Sequence, residues 1–160
     1  MGIRVHTISL SPFFEIIKSE FLPDEDRLDP IWDQLLEAEV CRATGLQNDL
    51  IGLERDLENG EPLNAVLVLM ASDRANLPEQ GEALFARHIE QVAAEHNRST
   101  AQAMNLICHL DQQIGATHGN EIVETAQHIF LMCETHLKWC TKAKRYSMKT
   151  ESNPTTTSVS

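Results

Sequence analysis

The sequence lacks any long apolar run. Its longest, Ala65 to Ala71, is far shorter than the roughly 20 residues a membrane-spanning helix needs. No N-terminal stretch reads as a signal peptide, because Arg4 and His6 interrupt the apolar residues there. Positive charge is scarce: 13 Lys and Arg against 24 Asp and Glu leave a net charge of −11. That balance argues against nonspecific attraction to nucleic acid or to an anionic membrane. There is no CxxC pair. Cys41, Cys108, Cys133 and Cys140 are too widely spaced for a zinc site or a disulfide framework. They fit a reducing, cytoplasmic setting and read as core filler. The seven histidines show no metal-ligand spacing, and neither strand-like alternation nor an internal repeat is evident.

What remains is helical pattern. The chain has 160 residues, 42% apolar and 23% charged, enough for one soluble globular domain with a sizeable core. Ser11 reads as an N-cap and Pro12 as a first-turn residue of a short apolar helix through Phe21. Residues 22–29 read as a polar connection. Asp29-Pro30 opens a long helix that runs to about Glu58 and stops at Asn59-Gly60. Its apolar stripe is Trp32, Leu35, Leu36, Val40, Ala43, Leu46, Leu50, Leu53 and Leu57, close to a period of 3.6. A shorter helix is expected over 62–71, a long one from Pro78 to about Ile114, and a last one from about Asn120 to Tyr146. The fold class is all-α. The Ser/Thr-rich end, residues 148–160, reads as a disordered tail.

Charge is unevenly spread along these helices. Residues 24–61 hold twelve acidic residues and three arginines, while Lys138, Lys142, Lys144, Arg145 and Lys149 lie near the other end. Within the acidic part, NDLIGLERD places Asn48, Gly52 and Asp56 at i, i+4 and i+8, on one helix face. Oxygen ligands in such a row suit a hard cation such as Mg²⁺, which keeps several waters and shares phosphate oxygens with a substrate. Taken alone, the spacing is equally that of a solvated polar face.

The stretch resembles the second metal motif of the class I terpene synthases, (Asn/Asp)-Asp-(Leu/Ile/Val)-x-(Ser/Thr)-x-x-x-Glu, particularly in their microbial branch. Asn48, Asp49 and Leu50 match; Gly52 stands at the Ser/Thr position and Asp56 at the Glu position. Two further matches have independent spacing. Arg4 lies 44 residues before Asn48, near the family's diphosphate-sensing Arg, and WCTKAKRY resembles the last-helix pattern of that family.

The resemblance implies that residues 1–147 form the C-terminal half of the class I terpenoid synthase helical fold. It implies a cyclase that ionises a prenyl diphosphate, with farnesyl diphosphate the default substrate, and releases diphosphate. Asn48, the Gly52 position (through water) and Asp56 would hold Mg²⁺. Arg4, Arg55, Arg145 and Tyr146 would bind the diphosphate, and Trp139 would face the cavity and shield the carbocation. The family's first metal site, an aspartate-rich motif, lies upstream of its sensor Arg; Asp24-Glu25-Asp26 follows Arg4 and is not that motif. The expected partners are therefore the prenyl diphosphate and either a missing N-terminal half or a second copy of the chain. The alternative is a non-catalytic helical pseudoenzyme or interaction module of the same descent.

Overall fold

The computed structural model describes residues 10–22, 30–73, 81–114 and 121–143, and these form helices joined by short connections, with no strand among them. The helices are α1 (Ser11–Phe21), α2 (Pro30–Ile51), α3 (Leu53–Asn59), α4 (Ala65–Asp73), α5 (Glu82–Ile114) and α6 (Glu121–Lys142). Among the described residues no helix is long and apolar enough to cross a membrane. The expected tail, 148–160, lies outside the described residues.

The all-α expectation holds, and the differences lie at helix ends. Ser11 is not the cap of α1. Leu10 occupies that place without a side-chain cap, its carbonyl accepting from the Phe13 and Phe14 amides at 2.8 and 3.2 Å, so Ser11 and Pro12 both sit inside the first turn. The single helix expected over 30–58 is interrupted by a bend at Gly52, whose φ of −84° and ψ of −1° lie at the edge of the right-handed helical region. Backbone bonds from Gly52 N–H to Asn48 and from Asp56 N–H to Gly52, both 2.9 Å, run across the bend. The expected stop at Asn59-Gly60 is present. Gly60 takes φ +65°, and the amides of Gly60 and Glu61 bond back to Leu57 and Asp56, a Schellman closure.

Helix α2 organises two apolar clusters. In the first, Leu36, Val40, Cys41 and Ala43 meet Leu10 and Phe14 of the first segment, Ala103, Ile107 and Leu110 of α5, and Ala126, Ile129 and Cys133 of α6. In the second, Leu46 meets Leu53, Ala65, Val66 and Val92. The early half of α2 thus lies against the late half of α5, and its late half against the early half of α5, so the two run antiparallel. Because α2 is covered from more than one side, its apolar stripe is broader than a simple 3.6-period reading and partly misplaced by it. Leu35, one step of about 100° from buried Leu36, is exposed, as is Leu57 in the last turn beyond the bend.

Helix α1 is fixed by charge as well as by Phe14. Lys18 Nζ reaches Glu15 at 3.0 Å, Asp33 at 2.6 Å and Glu37 at 2.5 Å. Burial works against the ammonium, but the three carboxylates outweigh it and raise the Lys18 pKa. At the far end of α1, Phe21 stacks on His128 with ring centroids 4.1 Å apart.

The four cysteines are free, as expected, but they are not all core. Cys41, Cys133 and Cys140 are buried, whereas Cys108 faces out from α5. Burial pushes the Cys41 thiol up to about 11, with Glu37 and Cys133 adding to it, and raises Cys133 despite its hydrogen bond with Thr44. Since the thiolate is the reactive form, labelling of the native chain in mildly alkaline buffer should modify Cys108 first. Peptide mass mapping should find Cys41 and Cys133 labelled only after unfolding. Phe13 and Phe14 give a second test: Phe14 is fully buried and Phe13 is 53% exposed. In denaturant titrations Phe14→Ala should cost about 3–5 kcal/mol, and Phe13→Ala less than about 0.5 kcal/mol.

Candidate metal and diphosphate site

The bend at Gly52 gathers four of the residues singled out in the sequence. Asn48 ends the face of α2 that leads to it, and Arg55 and Asp56 begin α3 beyond it. Asn48 is half-buried and Asp56 only 3% exposed. A carboxylate so enclosed needs compensation for its lost water, and Asp56 has it at every polar group. Oδ1 accepts from Arg55 Nη2 at 2.6 Å and Nε at 3.1 Å. Oδ2 accepts from Asn64 Nδ2 at 3.0 Å, and the backbone carbonyl from the Glu61 amide at 2.8 Å.

Two residues that the motif reading did not single out as functional hold this arrangement. Asn64 is completely buried and caps α4: its Oδ1 accepts from the Val66 amide at 3.0 Å. Its Nδ2 also donates to the Asp49 carbonyl at 2.8 Å. Asp49, likewise fully buried, accepts the next amide of the same helix start, Ala65 N–H, on Oδ2 at 3.0 Å. The second residue of the motif, Asp49, therefore serves as a cap for α4, where the helix dipole favours a negative charge. The signal was legible: an Asn directly before the apolar run AVLVLMA is a helix-start pattern. Placing the helix start at residue 62 concealed it.

Gly52 contributes no side-chain oxygen. A Cβ built there would meet the Asn48 carbonyl at 3.0 Å, Arg55 Nη2 at 3.2 Å and Asp56 Oδ2 at 3.3 Å. Asp56 Oδ2 therefore lies beside Gly52 and keeps a lone pair beyond its bond from Asn64. Among the described residues no three His, Cys, Asp or Glu side chains cluster as a metal site. The donor set at the bend does suit Mg²⁺: an amide oxygen at Asn48 and a carboxylate oxygen at Asp56 are hard ligands, and this ion keeps several waters.

Trp139 stands on α6, 52% exposed, with its ring 6.2 Å from that of His136. One turn earlier, His136 Nδ1 lies 2.9 Å from Gln47 Oε1, next to Asn48 in sequence. Thr44 Oγ1 meets Cys133 Sγ at 3.3 Å in the same seam, so α6 runs parallel to α2 and brings Trp139 toward the end of α2 that carries the motif. Arg4, Arg145 and Tyr146 lie outside the described residues. A groove of about 370 Å³, lined by Leu35, Glu39, Gln102, Asn105, Leu106 and His109, contains none of the expected site residues. It opens near Leu35, about 20 Å along α2 from Asn48 at 1.5 Å per residue.

Burial lowers the His136 pKa from the ordinary 6.5. Neutral His136 donates from Nδ1 to Gln47, and the Cys140 thiol, 3.5 Å from Nε2, can donate to the other nitrogen. A proton on Nε2 would meet only the weakly accepting sulfur of that thiol. For a base with a depressed folded pKa, the unfolded state binds more protons as pH falls through 6.5, so stability declines there and levels off below the folded pKa. Thermal melts between neutral pH and pH 5 should show this decline. His136→Gln should melt lower at neutral pH, with a flatter acid slope.

Residues 1–94 match the family model described as terpene synthase family 2, C-terminal metal binding. Over 153 residues the chain is 28% identical to 10-epi-cubebol synthase of Sorangium cellulosum (strain So ce56), covering 91% of this chain and 44% of that protein. The chain thus spans less than half the length of this curated relative. No solved structure matches.

Proposed function

This chain belongs to the class I terpene synthases, and from that membership we propose that its α2–α3 bend is the second metal site of a cyclase acting on a prenyl diphosphate. The observation that carries the reading is that a carboxylate oxygen of Asp56 and the Arg55 guanidinium both lie beside Gly52, one helical turn after Asn48. Asn48 and Asp56 Oδ2 would hold the ion, with water at the Gly52 position. Mg²⁺ bound there would neutralise charge on the departing diphosphate as a Lewis acid.

The chain's own residues supply the rest. Arg55 has a planar fork able to meet two phosphate oxygens at once, and it would pass from Asp56 to the diphosphate. Arg4, Arg145 and Tyr146 complete the diphosphate contacts by family resemblance. Trp139 would offer its ring face to positive charge developing on the hydrocarbon, an attraction of about 0.5–2 kcal/mol. Farnesyl diphosphate is the substrate proposed, in keeping with family resemblance. The other half of the site would come from a further segment or a second copy.

A second reading, a helical pseudoenzyme of the same descent, draws on one observation: both Asp56 oxygens are engaged within the protein, while Gly52 offers none. Calorimetric titration with inorganic pyrophosphate, with and without Mg²⁺, separates the two. The cyclase reading expects Mg²⁺-dependent binding that Asp56→Ala weakens by tenfold or more. It also expects Gly52→Ser, which returns an oxygen to the motif, to tighten Mg²⁺ binding by roughly tenfold. A wild-type chain and a Gly52→Ser variant that both ignore Mg²⁺ would establish the pseudoenzyme. Incubation with farnesyl diphosphate and Mg²⁺, with analysis of volatile products, then tests turnover.

A further inference from the structure

We propose that Asn64, which lies outside the metal motif, is a positioning residue that sets the orientation of the Asp56 carboxylate for the cation; the proposal rests on the reading of Asp56 as a ligand. The side chain is 0% exposed, so each of its polar atoms must find a protein partner. It finds three. Nδ2 donates to the Asp49 carbonyl at 2.8 Å and to Asp56 Oδ2 at 3.0 Å, and Oδ1 accepts from the Val66 amide at 3.0 Å. One planar amide thus ties the end of α2, the body of α3 and the start of α4.

The consequence falls on a particular oxygen. A carboxylate can rotate about its last bond, and either oxygen could turn toward Gly52. With Nδ2 anchored to a backbone carbonyl on one hydrogen, its other hydrogen defines where Oδ2 must sit. That place is 3.3 Å from the position of a Gly52 Cβ. Oδ1 is left to the Arg55 fork. Asn64 therefore assigns the two oxygens different tasks, one toward Gly52 and the proposed cation and one toward the guanidinium. Ligating carboxylates commonly depend on such an outer partner, whose loss costs about 10–100-fold in metal affinity. Asp56 is one methylene shorter than the Glu of the family motif, so less side-chain freedom is available to recover a lost orientation.

The residue also caps α4, and the test must separate the two tasks. Asn64→Thr retains a capping oxygen and nearly the same volume but removes the amide donors. Asn64→Ser serves the same end should the threonine variant fail to fold. Two measurements on the full chain are needed. The first, without metal, is the Arg55 Nε–H resonance in a ¹⁵N-edited spectrum, which reports the guanidinium seated on Asp56. The second is calorimetric titration with Mg²⁺ alone, for wild type, Asn64→Thr, Asp56→Asn and the double variant.

The expected result is a shifted or broadened Arg55 signal in Asn64→Thr, Mg²⁺ binding weaker by about tenfold or more, and no further weakening when the variant is added to Asp56→Asn. An unmoved Arg55 signal overturns the positioning role whatever the metal does. A loss of Mg²⁺ binding that persists undiminished in the Asp56→Asn background overturns it as well, since Asn64 would then act otherwise than through Asp56. A wild-type chain that binds no Mg²⁺, or an Asp56→Asn variant that binds it as wild type does, overturns the ligand reading of Asp56 and this proposal with it. That failure is recognisable because it shows in chains whose Asn64 is intact.

Discussion

The second half of α2 is enclosed, and a helix so placed needs partners for the polar side chains it buries. Thr44, Gln47 and Asp49 are all buried along its second half. Left without partners, each would cost about 1–3 kcal/mol, a large share of the marginal stability of a domain this size. The fold meets the demand with partners drawn from other helices. Cys133 and His136 of α6 meet Thr44 and Gln47, and the Ala65 amide at the start of α4 meets the Asp49 carboxylate. These pairings fix α6 and α4 to the same end of α2, which is the end that carries the motif. The polar seam and the candidate site are thus one structural feature.

This dependence explains what the sequence disclosed. The helical pattern located the described helical segments, with α2 and α3 read as one, because an apolar face facing a core repeats every 3.6 residues whatever lies opposite. Glycine and proline signals marked the stop at Gly60 and the start at Pro30 for reasons of backbone geometry alone. Exposure at Leu35 was not legible, since it depends on the arc of α2 that α5 and α6 cover, and that arc belongs to the packing. The exposed Cys108 was hidden for the same reason.

The site divides along the same line. Spacing along one helix brought Asn48, Gly52 and Asp56 to one face, and the structure keeps them together across the bend. Asn64 lies eight residues beyond Asp56, on the far side of a left-handed glycine, and no helical period relates the two. Its pairing with Asp56 requires the chain to reverse at Gly60 and α4 to start where Asp49 can cap it. Three-dimensional closure, not pattern, made that residue part of the site.

Gly52 and the seat of Arg55 are linked by space. A Cβ at residue 52 would lie 3.2 Å from Arg55 Nη2, so the guanidinium would have to give by a few tenths of an ångström. Without that side chain it settles on Asp56 Oδ1 at 2.6 Å and neutralises a buried carboxylate from within the protein. The glycine therefore has two opposed effects on the proposed chemistry. It removes an oxygen from the cation's surroundings, and it lets a neighbouring cation occupy the carboxylate's other oxygen. On the proposed reading, positive charge held at Oδ2 would repel that guanidinium and favour its release toward an anionic substrate. The departure from the family motif would then couple the seat of Arg55 to occupancy of the carboxylate more tightly than an oxygen-bearing side chain at residue 52.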